Sequence, residues 1–296
     1  MAGLTRPVAS IVVPVRDRPV AILASVGSLL AQTYTSLEVL VVDDGSADDT
    51  AAVARAVRDP RVRVVELERS QGPSGARNAG AAEATGTYLA FLDSDDSVEA
   101  DWLERMCAPM EDPNCAVVTC GFREVRGGAT IGERRRIGAL GPAFHNYAAC
   151  FQAGTFLMRR SVFADVGGYA PELRFGENSE LALRICTWAA ARHATMATVE
   201  APLLTWNVGL DRSHDFAVRG AAAEYTLAHH GGLLATDPRL LADHHAVAGT
   251  GAAHAHEWAR ARRQFFKAWR VRPLDWRAAG RLAAVLTPVW RTRHWR

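Results

Sequence analysis

Three aspartates in four residues, Asp93, Asp95 and Asp96, follow directly on an apolar run from Tyr88 to Leu92. Such a run, with its aromatic residues, suits a strand covered on both faces in a parallel sheet. Carboxylates at the end of that strand would sit in the crevice where open α/β sheets take their ligands. Acids this close repel one another unless a cation lies between them, and hard oxygen donors suit Mg²⁺ or Mn²⁺. The alternative is an acidic turn in which Asp96 or Ser97 caps a helix starting near Val98. Two other strand-like runs end similarly: Ser10–Val15 in Arg16-Asp17, and Leu37–Val42 in Asp43-Asp44. One polar strand end is ordinary turn chemistry. Three on one sheet edge make a site.

The elements that must hold these ends follow from periodicity. Helical spacing of Ile22, Leu23, Val26, Leu29 and Leu30 predicts a helix from about Val20 to Gln32. A second helix is expected at Thr50–Val57, a third strand at Val62–Leu67, a loop at Gly72–Gly75, and a helix at Ala76–Ala84. Strand and helix therefore alternate over the first hundred residues, which predicts a parallel sheet with right-handed crossovers. Further on, Trp102–Met110 reads as a helix and Cys115–Gly121 as a strand. Residues 124–142, rich in Gly and Arg, read as a mobile loop. A strand at Gln152–Met158, helices at Ser161–Val166 and from about Glu177 to Ala191, and an extended stretch at Thr198–Trp206 follow. Two helices, at 252–270 and 275–287, resemble a single tetratricopeptide-like hairpin with no repeat behind it. The expected organisation is an α/β domain over 1–210 and a basic helical extension over 211–296.

With 296 residues, 49% of them hydrophobic, the chain can bury a sizeable core. The formal net charge is only +2, but eleven Arg and Lys face two acids from Gly251 onward. That tail reads either as a helical hairpin with a basic outer face or as a peripheral contact with an anionic lipid surface or lipid diphosphate. No nucleic-acid motif accompanies the charge, so no nucleic-acid partner is expected. Five cysteines without a C-x-x-C pair predict free thiols in a reducing compartment. No leader-like segment and no apolar run of membrane-spanning length is present in the sequence. The expected location is cytoplasmic, with the basic helices as a route to the inner face of the cell membrane. Histidine pairs such as His229-His230 and His244-His245 cannot face one ligand from adjacent helical positions, and read as solvated or packing residues.

Five segments in order carry a resemblance: Val12-Val-Pro-Val-Arg-Asp-Arg18, Val42-Asp-Asp-Gly-Ser46, Gly75-Ala-Arg-Asn-Ala-Gly80, Phe91-Leu-Asp-Ser-Asp-Asp96 and Gly167-Gly168-Tyr169. Together they resemble the family 2 glycosyltransferases over roughly residues 8–210. The resemblance implies an α/β, GT-A type (Rossmann-like) fold, its mostly parallel sheet flanked by helices, with the C-terminal helices as an extension. It implies an inverting enzyme that takes a sugar from a nucleoside-diphosphate donor, assisted by Mg²⁺ or Mn²⁺. On this pattern Pro14, Val15 and Arg16 would line the nucleoside pocket and Asp44 would accept from the base. Arg77 would lie near the nucleotide, its alternative being a helix-surface charge. Asp93 and Ser94 would hold the ribose side, with Asp93 also helping the metal and Asp95 coordinating it. His214 would offer a third metal contact, although its surroundings depart from the family pattern.

An inverting displacement needs a carboxylate to deprotonate the acceptor hydroxyl. The family commonly carries Glu-Asp at the start of the late helix, but here the pair is Glu177-Asn178. An amide cannot take the proton. Glu177, or Glu180 three residues on, is left as the base, unless both are first-turn helix acids. The acceptor class stays open among a glycan, a lipid carrier, a peptide and a small natural product, with a hydroxyl preferred to an amine or thiol. Two rivals remain. One is a nucleotidyltransferase with a similar sheet, for which Arg16-Asp17-Arg18 is a slight signature. The other is a nucleotide-sugar-binding or scaffold protein without turnover.

Overall fold

A computed structural model describes residues 8–208 and 215–287. Nine strands form one sheet: β1 (Ala9–Val15), β2 (Leu37–Asp43), β3 (Val62–Glu66), β4 (Tyr88–Phe91), β5 (Ser97–Val98), β6 (Cys115–Arg126), β7 (Ala129–Arg134), β8 (Phe156–Arg159) and β9 (Thr195–Asn207). The helices are α1 (Ala21–Leu30), α2 (Thr50–Ala56), α3 (Gly72–Glu83), α4 (Trp102–Cys107), α5 (Arg160–Asp165), α6 (Glu177–Arg192), α7 (Phe216–Leu234), α8 (Pro238–His254), α9 (Trp258–Val271) and α10 (Trp276–Leu286). Two compact units result. The first comprises Met1–Leu140, Tyr147–Glu172 and Arg184–Arg212. The second takes Gly141–Asn146, Leu173–Leu183 and Ser213–Arg296, so the division falls within α6.

The sheet, all in the first unit, runs β3-β2-β1-β4-β8-β6-β9-β5, with β7 paired to β6. Its first four strands are parallel, as the alternation predicts, and their register sets Val15 beside Asp43 and Asp43 beside Glu66. Parallel strands end on the same edge, so the loops after β1, β2 and β4 emerge together. β1 and β2 are buried almost throughout because helices cover both faces, which is why their sequences are apolar without alternation. On one face α3 lies close. A Cβ on Gly80 would come within 2.5 Å of Val12 Cγ1 and 2.8 Å of Val42 Cγ2, so only glycine permits this approach. Trp102, fully buried, ties α4 to the core and donates its indole N–H to Gly154 O at 3.0 Å.

Four expectations are corrected. The third helix begins at Gly72 rather than Ala76, because Pro73 is tolerated in a first turn. No helix starts near Val98; Ser97–Val98 instead pairs antiparallel with β9. The stretch read as a loop at 124–142 contains the end of β6 and all of β7, a hairpin closed by Gly127-Gly128 at φ +55° and +81°. Both faces of that hairpin are largely exposed, so it carries no apolar alternation, and only the two-glycine turn could have announced it. The helix expected at 252–270 is two helices, broken after His254, with His256 at φ +60°. In α1, Leu23 is exposed while Ile22, Val26 and Leu29 face the core.

Candidate nucleotide-sugar site

Each acidic strand end of the first unit is answered by donors from elsewhere in the chain. Asp44 follows β2 and is only 5% exposed. It accepts from Ser70 Oγ at 2.7 Å and from the backbone N–H groups of Gln71 at 2.6 Å and Gly72 at 3.0 Å. Those donors lead into α3, so Asp44 fixes the start of the helix that carries Arg77. Three of the roughly four acceptor positions of a carboxylate are thereby used inside the chain. Asp43 accepts from Ser46 N at 3.2 Å and from the Ser46 hydroxyl. The loop after β1 is stitched to the same turn: Asp17, at φ +51°, donates from its N–H to Ser46 Oγ, and its carboxylate accepts from Ala47 N at 2.8 Å.

Arg77 is 3% exposed, so it is not a helix-surface charge. Its Nη2 donates to Asp93 Oδ1 at 2.6 Å, and its guanidinium lies 5.3 Å from the centre of the Tyr169 ring. Tyr169 stands edge-on to Phe91, the last residue of β4, with ring centroids 5.1 Å apart. Next to Arg77, Asn78 forms a reciprocal pair with Tyr169: its amide donates to Tyr169 O at 2.8 Å, and Tyr169 N donates to Asn78 Oδ1 at 2.8 Å. Gly168, at φ +71°, leaves no room for a Cβ, which would meet Asn78 Oδ1 at 2.8 Å. The Arg-Asn and Gly-Gly-Tyr segments are therefore two halves of one clamp around Asp93. Arg184 closes it from α6, donating to the carbonyls of Val166 and Gly168 at 2.5 and 2.6 Å.

Asp95 pairs with Arg18 Nη1 at 2.7 Å. Its carbonyl accepts from the Asn207 side chain at 2.6 Å, and Asp96 Oδ1 accepts from Asn207 N at 2.8 Å. Asp96 is buried, and Ser25 Oγ donates to its carbonyl at 2.6 Å. Burial, reinforced by the charges of Asp93 and Asp95, pushes the Asp96 carboxyl up to about 9. The three neighbouring aspartates thus differ: Asp93 and Asp95 are partly exposed and paired with arginines, whereas Asp96 is a buried strut. Ser94 is buried between them. Val15 is buried, Pro14 half-buried, and Arg16 is exposed with Asp17 at 3.4 Å.

Sequence reasoning passed over Arg18, Ser25, Asn78 and Asn207 as contributors. Arg18 and Asn78 stand inside the quoted motifs, so their positions were a usable signal. Asn207 lies 112 positions from Asp95, and nothing local marks it.

Among the described residues no group of three or more His, Cys, Asp or Glu side chains could hold a metal ion. Asp93 and Asp95 alone still fit a divalent cation of the magnesium type, which takes one or two carboxylates and draws its other oxygens from substrate phosphate. His214 lies outside the described residues.

In the second unit, Glu177 opens α6 and is half-buried. Glu180 is 2% exposed, with His230 Nε2 at 2.8 Å from its carboxylate. Four further histidines of this unit make local contacts. His229 and His244 direct Nδ1 at the carbonyls of Tyr225 and Leu240, His245 meets Gln264, and His254 stacks on Phe216 at 3.9 Å.

This chain belongs to glycosyl transferase family 2, whose model matches residues 10–170. That match covers the whole edge on which Asp44, Arg77, Asp93 and Asp95 stand. Among curated relatives, the succinoglycan biosynthesis protein ExoO of Rhizobium meliloti is 53% identical over 85 residues, 29% of this chain and 24% of that protein. The Escherichia coli UDP-Glc:alpha-D-GlcNAc-diphosphoundecaprenol beta-1,3-glucosyltransferase WfgD is 34% identical over 124 residues, 42% of this chain and 49% of the other. The matched regions thus span half or less of these relatives. Among solved structures, S. aureus TarS 1–349 in complex with UDP superposes with a TM-score of 0.65 at 20% identity, covering 96% of this chain and 89% of that one. The fold is GT-A: a mainly parallel sheet flanked by helices, with a helical C-terminal region.

Proposed function

We propose that this chain transfers a sugar from a nucleoside diphosphate, with inversion, to an acceptor hydroxyl. The observation that carries the reading is the set of parallel strand ends, where Arg77–Asp93 and Arg18–Asp95 stand as paired charges beside the buried Asp44 turn. Arg18, exposed, is the cation open to a diphosphate and Arg77, buried, the one that positions Asp93, while Asp93 and Asp95 are the carboxylates for Mg²⁺ or Mn²⁺. Bound there, a divalent ion would neutralise charge growing on the departing diphosphate. Pro14, Val15, Arg16 and Ser94 complete the nucleotide side. Asp44 keeps one acceptor position for a base N–H while its other contacts hold the loop into α3. UDP is the favoured nucleotide, supported by the UDP-Glc in the name of WfgD and by the structure of TarS 1–349 in complex with UDP-GlcNAc.

Glu177 is the base in this reading. Glu180 is buried against His230, while Glu177 heads the helix and retains partial exposure. A divalent-dependent thermal shift tests the donor half, because a ligand that binds only the native state raises its stability. UDP with Mn²⁺ should raise the melting temperature, and Asp95→Asn should remove that rise. A flat response to every nucleoside diphosphate would reject the reading. Asn178, which cannot act as a base, favours a second reading of binding without turnover. Transfer to any acceptor in a panel of glycans, lipid-linked sugars and small hydroxylated products would dismiss it.

A lipid-linked acceptor, as named for WfgD, would suit contact with a membrane surface. Among the described residues no helix is long and apolar enough to cross a membrane. The turn from α9 to α10 nevertheless holds Leu274 at 99% exposure and Trp276 at 77%, flanked by Arg270, Arg272 and Arg277. Apolar residues at a basic tip suit an anionic bilayer surface. Sedimentation with phosphatidylglycerol vesicles should retain the chain, and Leu274→Ser with Trp276→Ser should release it.

A further inference from the structure

The second unit contains a cavity of about 240 Å³ that the nucleotide reading does not use. Phe144, Phe175, Leu183, Leu240 and Val247 are the large apolar residues of its wall. Into this apolar setting α7 sends Arg219. Its guanidinium lies 4.7 Å from the centre of the Phe175 ring, an arrangement that holds a cation without neutralising it. The Nε of Arg219 is shielded from solvent and has no hydrogen-bond partner, and no carboxylate lies within ion-pair distance among the described residues. Asp243 also lines the cavity but is exposed. His244, on the same wall, directs Nδ1 at Leu240 O, 2.9 Å away; a carbonyl only accepts, so Nδ1 carries the proton and Nε2 is the nitrogen left for other partners.

A guanidinium whose Nε is shielded and unpaired is costly, and an anion that reached its outer nitrogens would form charge-assisted hydrogen bonds. Hydrophobic walls around one such cation select a ligand that is mostly apolar with a single acidic head. We propose that this cavity binds an organic anion of that kind, a short alkyl or ring body carrying a phosphate or carboxylate, with Arg219 as its charge partner. Gly176, just before α6, and Ser179, in its first turn, bracket Glu177 and line the same cavity. On the glycosyl-transfer reading above, and resting on it, the ligand is the end of the acceptor next to the reacting hydroxyl.

Calorimetric titration of the whole chain with hexyl phosphate, hexanoate, hexanol and inorganic phosphate tests this, with UDP and Mn²⁺ titrated in parallel. At least one hexyl anion should bind tenfold or more tighter than both hexanol and inorganic phosphate, a margin of about 1.4 kcal/mol. Arg219→Gln should erase that margin, Arg219→Lys should restore part of it, and Ala223→Phe, which fills the cavity, should abolish binding of both anions. All three variants should bind UDP as the unmodified chain does. Equal binding of hexanol, equal binding of inorganic phosphate, or indifference to Arg219→Gln would overturn the proposal. The two readings fail separately. Anion binding without nucleotide binding keeps the cavity site and removes its acceptor role, whereas nucleotide binding without anion binding removes the cavity site alone.

Discussion

The first unit's strand ends and the second unit's cavity treat charge in opposite ways. At the strand ends, Asp44, Asp93 and Asp95 each find donors or an arginine from another segment, so the acidic edge is held together by the chain's own groups. In the cavity, Arg219 rests on an aromatic ring and the described residues bring it no carboxylate. A polar site whose charges already match can bind a charged ligand only by exchanging one partner for another. An apolar site with one unanswered cation instead gains its counter-charge from the ligand. The first arrangement suits a nucleotide and a metal ion that arrive together, and the second suits a mostly hydrophobic acceptor.

Substitutions can break this contrast, and Asp95→Asn should have the largest effect. We expect sugar transfer and nucleotide-sugar hydrolysis to fall by about 10²–10³, the size of losing a transition-state charge partner. Assay by product release suffices, and unchanged rates would sink the site assignment. Glu177→Gln should cost about 10² in transfer while the UDP-dependent thermal shift stays, since a general base contributes to chemistry and not to donor binding. Loss of the shift as well would mean that Glu177 serves the fold.

Stability effects sharpen the comparison. Arg77→Met strands Asp93 and should cost about 2 kcal/mol in denaturant unfolding, within the range for a hydrogen bond to a charged group. Arg219→Gln strands no carboxylate among the described residues and should stay within about 0.5 kcal/mol of the parent. Similar losses from the two would erase the distinction drawn here. Arg18→Ala frees Asp95 of its own cation and should tighten Mn²⁺ binding, measured without nucleotide, by about fivefold, as for a partly exposed ion pair. Weaker Mn²⁺ binding would mean that Arg18 orders the carboxylate rather than competing for it.

A further expected effect is a pH dependence at Glu38. Burial by itself would raise this carboxyl, but hydrogen bonds from Ser10 and Thr85 and the charge of Arg63 hold it below its ordinary 4.5. A depressed carboxyl contributes stability that is present above its unfolded value and is lost as pH falls through its folded one. The unmodified chain should therefore lose about 1 kcal/mol more than Glu38→Gln as pH drops below about 4.5. Parallel acid melts of the two proteins would refute it.

Much of this molecule was written locally. The apolar runs before Arg16, Asp43 and Asp93 announced buried parallel strands, because a strand covered on both faces leaves no polar side to disguise it. The segment order identified the family, and the family model matches the same stretch. Other features had little local signal. The β7 arm of the β6–β7 hairpin is largely exposed, shows no apolar alternation and is announced only by its two-glycine turn, and α8 and α9 carry one continuous helical pattern across the break that follows His254. Sequence also named Arg77 and Asp93 without saying that they meet, and it gave no reason to set Asn207 beside Asp95.

What the chain's sequence determined by itself was the kind of edge it builds: carboxylates and arginines at the ends of buried strands, fixed by residue type and spacing. Only the tertiary structure decided which charges are answered and which are not. An arginine has the same chemistry in α3 as in α7. Arg77 becomes a neutralised clamp because Asp93 is folded against it, whereas Arg219 lies over the Phe175 ring and meets no carboxylate among the described residues.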